Sequence, residues 1–337
     1  MFLRSPRRYR RVGRRSAMRR LPRFNLSHAN GRCAAPCSRW PAEAARTQSG
    51  GKRKSAALRV SACSDEKFVV PSGMPVSLDA SPFAGAAQYY DRFRAPYAQA
   101  AIDFIVEAYD LSEGVRALDL GCGPGTIAIP LSYTVAEVVA VDPDADMIAE
   151  GRRLAASRGR QNIQWLPSRA EDISPEAGPF RVTTIGQAFH WMDRDDVLRK
   201  LAILTADGGG LALVNPGKRR PQESWEPVAS QIVAVFLGPR TRHPKSNPRE
   251  PEHEPALRRS EYFSQFTARE FPSTITRDMS SIIGCIYSTS NSARSLFGDD
   301  AELFEAKLSR ALLSLNPAGV FNEHVETEVV IAPKRAR

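Results

Sequence analysis

The sequence predicts an α/β fold built on a mostly parallel sheet. Three observations carry this. Apolar runs alternate with stretches of helical spacing from about residue 98 to residue 214, the order that gives a parallel sheet with right-handed crossovers. The run 115–120 breaks into a glycine-dense turn, Gly121-Cys122-Gly123-Pro124-Gly125. The next run, 137–141, ends in an acid, Asp142.

The elements follow in order. Residues 98–109 place Ala101, Ile102, Ile105, Val106 and Tyr109 at helical spacing. Residues 115–120 are the first strand. Glycines after it permit close backbone approach to a ligand, and the helix expected from Thr126 offers its positive end to an anionic or polar group. Residues 137–142 are the second strand, 163–166 the third and 180–186 the fourth, the last rich in β-branched residues. A helix spans 195–204, a turn 207–210 and a fifth strand 211–214. Residues 216–262 break the pattern with a helix-like piece, 225–237, and a Pro/Arg/His/Glu-rich loop through 255. A long polar insertion beside a site is a lid or substrate loop, or else plain surface. A sixth strand is expected at 263–271, helices at 280–287 and 301–313, and a final strand at 321–332. There is no internal repeat.

Charge is divided unevenly. Residues 1–62 hold 17 Lys/Arg against one acid, Glu43, while the rest holds 30 basic and 36 acidic residues. The formal charge of +10 thus belongs to the leader. An Arg-rich, Ser-containing, acid-poor leader without an apolar core has transit-peptide composition. Val60-Ser61-Ala62-Cys63 resembles a chloroplast stromal cleavage context, with mitochondrial import as the rival. A disordered basic tail and a nucleic-acid-binding arm are the other readings. Residues 63–82, with Pro71, Ser72, Gly73 and Pro75, form a linker. The folded domain is expected over 83–332, with a basic tail at 333–337. No apolar run is long enough to span a bilayer. Cys122 and Cys285, the cysteines beyond residue 63, lack metal-ligand spacing, so neither a metal site nor a required disulfide is expected.

The turn Asp119-Leu-Gly-Cys-Gly-Pro-Gly125 differs from the dinucleotide spacing G-x-G-x-x-G. It resembles motif I of the class I S-adenosylmethionine (SAM)-dependent methyltransferases. Three further segments resemble that family in the expected order: Asp142-Pro-Asp-Ala-Asp-Met147, Ser168-Arg-Ala-Glu-Asp172 and Gln187-Ala-Phe-His-Trp191. The last resembles the small-molecule branch that includes trans-aconitate methyltransferase-like enzymes. It is not the Asn/Asp-Pro-Pro-Tyr motif of base and glutamine-amide methylation. The resemblance implies a Rossmann-like, seven-stranded, mostly parallel sheet with helices on both faces and a helical/loop insertion.

It also implies the site. Asp119, Gly121, Cys122, Gly123, Gly125 and Gln187 would surround the methionyl end of SAM. Asp142 would accept from both ribose hydroxyls, beside Pro143. Met147 would cover the adenine unless it is ordinary helix packing. Ala170 and Glu171 would face the adenine edge, with Arg169 standing where many relatives have an acceptor. Residues 83–97 resemble a segment over the cofactor, and Tyr90 and Arg94 are its candidate substrate contacts. His190 is the candidate base if the acceptor needs one, and His190 and Trp191 would line the acceptor site. Ser288-Thr-Ser290 resembles a Tyr-Ser-x-Ser segment of the same branch. The expected activity is methyl transfer to a small molecule, through an O or C nucleophile. An NAD-linked oxidoreductase, or a non-catalytic or nucleic-acid-binding protein using the leader, is the alternative. The acceptor's identity and the oligomeric state are not legible in the residues.

Overall fold

Residue alternation along the strands builds the sheet. In β1 (Arg116–Leu120) Ala117 points to one face and Leu118 to the other, and in β2 (Glu137–Asp142) Val138 and Ala140 oppose Val139 and Val141. Both faces are buried, as parallel sheets require. The computed structural model describes residues 87–216, 225–238 and 253–335. The leader, the linker 63–82 and parts of the insertion lie outside these residues.

Seven strands form one sheet in the order β3-β2-β1-β4-β5-β7-β6. With β3 (Ile163–Pro167), β4 (Phe180–Gly186) and β5 (Thr205–Pro216), the first five are parallel, and β7 (Phe321–Pro333) and β6 (Thr267–Arg277) close the edge antiparallel. Strand order reverses at β1/β4, the switch point where ligands dock in such sheets.

On one face pack α2 (Gln99–Ala108), α3 (Ala128–Leu131) and α4 (Ala145–Ser157). On the other pack α5 (Arg194–Leu204) and α7 (Glu254–Arg259), with Phe189 and Phe263 between them. A separate aromatic cluster joins α6 (Glu226–Leu237), α8 (Met279–Tyr287) and α9 (Ala301–Leu315). The helix α1 (Ala87–Phe93) packs on α8, where Gly284 leaves room for the Phe93 ring. Aspartates start three helices. Asp144, Asp193 and Asp278 each accept from backbone N–H groups of the first turn, the usual satisfaction of orphan donors there.

The boundaries depart from expectation in three places. The helix after the glycine turn is one turn long, because residues 121–127 are consumed in the turn itself. The Asp207-Gly-Gly stretch is not a turn before β5 but an irregularity within it, where the register against β4 shifts. The sixth strand is Thr267–Arg277, not 263–271. Phe263 instead fills the core beside α7, a helix in the insertion where the sequence predicts no regular element.

Candidate active site

The glycine turn is fastened from beneath. Asp119, 1% exposed, accepts from the Ala128 N–H at 3.0 Å through Oδ2 and from the Thr184 hydroxyl at 2.7 Å through Oδ1. Burial pushes its carboxyl up to about 7, against the opposing pull of those two hydrogen bonds. Asp119 therefore ties β1, β4 and the start of α3 together under the turn. Thr184, its partner, was not singled out by the sequence, since it stands as one more β-branched residue of a strand.

Two glycines show what the turn is for. Gly121 has φ +63°, and a Cβ there would lie 2.3 Å from the Ala188 Cβ. It lets the loops after β1 and β4 touch. Gly123 has φ +53°, yet a Cβ there would meet nothing within 4 Å. Its backbone faces open space, and its N–H donates to Asp142 Oδ2 at 2.9 Å. The other Asp142 oxygen accepts from the Asp144 N–H at 2.9 Å. Burial raises the Asp142 carboxyl above its ordinary value. Cys122 is buried, and burial pushes its thiol well up, so it is an inert packing residue of the turn. Behind Gly125 stands the Trp165 ring, 2.6 Å from where a Cβ would be, a support from β3 that no spacing revealed.

The loop after β4 carries Gln187, the residue expected at the methionyl end. Gln187 has φ +51°, uncommon for a residue with a side chain and concentrated at functional sites. Its N–H donates to the Val214 carbonyl at 3.0 Å, and its Nε2 donates to the Tyr97 hydroxyl at 3.3 Å. Burial, with Tyr90 and Asp119 nearby, raises the Tyr97 phenol, so it stays neutral. The Arg94 guanidinium lies 5.0 Å from the Tyr90 ring centroid, and its Nη2 donates to the Ser288 carbonyl at 3.5 Å. The structure thus brings together Tyr90, Arg94, Tyr97 and Gln187, and sets the Tyr-Ser segment at 287–288 against them.

On the loop after β3, Ala170 is buried and opens a 3₁₀ turn. Glu171 is committed elsewhere. Its Oε1 accepts from the Asp193 N–H at 2.9 Å, its Oε2 lies 3.3 Å from Arg169 Nε, and its carbonyl accepts from Lys200. It braces this loop to the start of α5. Pro143 is exposed, while Met147 is 2% exposed, so interior packing accounts for nearly all its surface. Beyond Gln187, Phe189, His190 and Trp191 form a 3₁₀ turn, Phe189 buried and the other two half-buried, with the His190 and Trp191 ring centroids 5.0 Å apart. Beside them sits His253, which the sequence hid in a polar insertion. Its ring is 5.6 Å from that of Phe189. No group of three or more His, Cys, Asp or Glu among the described residues is arranged to hold a metal ion.

A strand–turn–helix cradle lies at the switch point, with an acid at the tip of β2 and the loop after β4 against Gly121. Residues 117–209 match the family described as Methyltransferase domain. The chain is 31% identical over 131 residues to a ubiquinone biosynthesis O-methyltransferase of Caulobacter sp. (strain K31), covering 38% of this chain and 52% of that protein. It is 32% identical over 132 residues to an uncharacterized methyltransferase of Mycobacterium bovis, covering 39% and 51%. The chain spans about half the length of the curated relatives it matches. A candidate type II methyltransferase from Anaeromyxobacter dehalogenans shares the fold at a TM-score of 0.51, 21% identity, over 72% of this chain and 98% of that one. Over residues 117–209 the chain is thus similar to a methyltransferase domain, and its sheet has the fold of a methyltransferase.

Proposed function

We propose that the protein transfers the methyl group of SAM to a small-molecule acceptor through an oxygen or carbon nucleophile. The observation that carries this is the Gly123–Asp142 cradle: a left-handed glycine facing open space, beside a carboxylate at the tip of β2. The residues present fit SAM. Asp142 holds the ribose hydroxyls, the turn 121–125 lies along the methionyl chain, and Gln187, anchored by Tyr97, closes that end. The loop at Ala170 faces the adenine, while Met147 packs in the interior beneath. SAM supplies a methyl group already activated by its positively charged sulfur.

The protein's own work is orientation and exclusion of water. Tyr90, Arg94, His190 and Trp191 border the acceptor side. Asp119, locked beneath the turn, sets the geometry of the glycines and offers negative charge to a cationic ligand. The small-molecule class is supported by the Gln-Ala-Phe-His-Trp segment and by the O-methyltransferase matched over part of its length. The reading also includes residues 1–62 as an organellar import leader, chloroplast favoured, on composition alone. N-terminal sequencing of the protein from its source cells tests the leader, and an intact Met1 in the working form removes it. Transfer of label from methyl-labelled SAM into organellar metabolite extract, with the product identified, tests the activity.

A further inference from the structure

We propose that His253 is the base that receives the acceptor's proton, and that the acceptor therefore attacks through a protic hydroxyl group, phenolic or alcoholic. The proposal rests on the methyl-transfer reading above.

The protonation of His253 is legible in its contacts. Its Nε2 lies 3.1 Å from Asn215 Oδ1, and Asn215 Nδ2 lies 3.4 Å from Glu328 Oε2. A carboxylate accepts only, so the Asn215 amide turns its NH₂ to Glu328 and its carbonyl oxygen to His253. That oxygen needs a donor, which makes Nε2 the protonated nitrogen. Nδ1 then carries a bare lone pair. It is buried, and no hydrogen-bond partner reaches it among the described residues. A buried acceptor left without a partner calls for an explanation. A base directed by an amide and a carboxylate, with its second nitrogen kept vacant, supplies one.

Its place in the fold agrees. Asn215 follows Val214, whose carbonyl holds the Gln187 N–H, so the Glu328–Asn215–His253 line runs from β7 across the carboxyl end of β5 to the loop after β4. His253 begins α7, whose Ala256 and Leu257 are wholly buried in the same cluster as Phe189. The imidazole is fixed, not trailing on the insertion. Burial, and then Arg194 and His190 beside it, hold its imidazole down to about 4, so it stands neutral at pH 7 with the Nδ1 lone pair free of a proton. His190 is half-buried against Trp191 and is a wall of the site. In the step, Nδ1 takes the hydroxyl proton while the acceptor oxygen bonds the methyl carbon. The carbon–sulfur bond breaks with its electron pair remaining on sulfur, and the imidazolium proton later passes to water. A carboxylate acceptor would leave Nδ1 without a task.

The test uses the full chain. Calorimetry measures SAM binding to wild type and His253→Gln. A wild type that does not bind SAM defeats the methyl-transfer reading itself, and equal binding by both confines the question to the acceptor. Methyl-labelled SAM is then offered with pools of phenols, primary alcohols and carboxylic acids. The expected result is label in a hydroxyl compound, with turnover falling about 100-fold or more in His253→Gln and the KM for SAM unchanged. Gln keeps an N–H for Asn215 but places no basic nitrogen at Nδ1. Label confined to carboxylic acids, label in no hydroxyl compound from an enzyme that binds SAM, or a His253→Gln turnover near that of wild type overturns the proposal. Independently, ¹⁵N NMR of the imidazole is expected to show the Nε2–H tautomer in neutral solution, and an Nδ1–H tautomer overturns the assignment.

Discussion

Each functional residue makes a distinct demand on its neighbours. Asp142 offers a carboxylate that already organises Gly123 and Asp144. Asp142→Ala is expected to weaken SAM binding roughly 10- to 100-fold, the loss of hydrogen bonds to a charged group, and titration calorimetry reads it directly. Asp119 carries a pH signature. With its carboxyl at about 7 in the free protein, it is protonated below that pH. A bound sulfonium and ammonium favour the carboxylate, so the site must release a proton to bind in acid. SAM affinity should therefore rise with pH between about 5 and 7, by up to ~10-fold per unit. Asp119→Asn should flatten the slope while keeping the fold, because its oxygen can still accept from Ala128. Gly121→Ala puts a Cβ 2.3 Å from that of Ala188 at φ +63°. It should destabilise the domain by about 1–3 kcal/mol, read as a lowered midpoint in urea. The glycines and Asp142 were legible because a nucleotide cradle restricts them to one spacing. Glu171 and Met147 were legible only by position, and the fold gives Glu171 to the start of α5. Thr184, Trp165 and His253 were not legible, since their roles arise from strand neighbours that sequence distance conceals.

Among the elements, β1, β2 and β4 were readable because both faces are buried and their runs are apolar. The edge strand β6 was displaced in the reading for the opposite reason. Only Phe271 and Arg277 are buried in it, so it has no apolar period, and Phe263 drew the expected strand toward the core of α7. The same hairpin holds α1. Arg277 and Glu323, 3% and 5% exposed, pair within it, and Arg277 Nη1 donates to the Phe93 carbonyl at 2.8 Å while its guanidinium faces the Trp225 ring. This joins the helix bearing Tyr90 to β6, β7 and α6. Removing one member of a buried pair leaves an uncompensated charge. Arg277→Met should cost about 3–5 kcal/mol, and adding Glu323→Leu should recover most of it. Chemical denaturation of the single and double variants measures both. Hydrogen exchange in α1 should accelerate in the single variant.

At the scale of the molecule, charge and chemistry are separated along the chain. Residues 1–62 carry more than the whole excess of positive charge, and the remainder has more acids than bases. The account predicts that a chain beginning at residue 63 keeps the thermal midpoint and SAM affinity of the full chain, because every group assigned to the site lies beyond residue 89. What unites the rest is the switch point, where the loops after β1, β2 and β4 meet the carboxyl end of β5 and the middle of β7. The central claim is that this convergence binds SAM at Asp142. Titration calorimetry of the full chain with SAM, and with NAD as control, tests it most directly. The account predicts saturable one-site binding of SAM, weakened in Asp142→Ala, and none of NAD. Absence of SAM binding, or NAD binding weakened by Asp142→Ala, would contradict it.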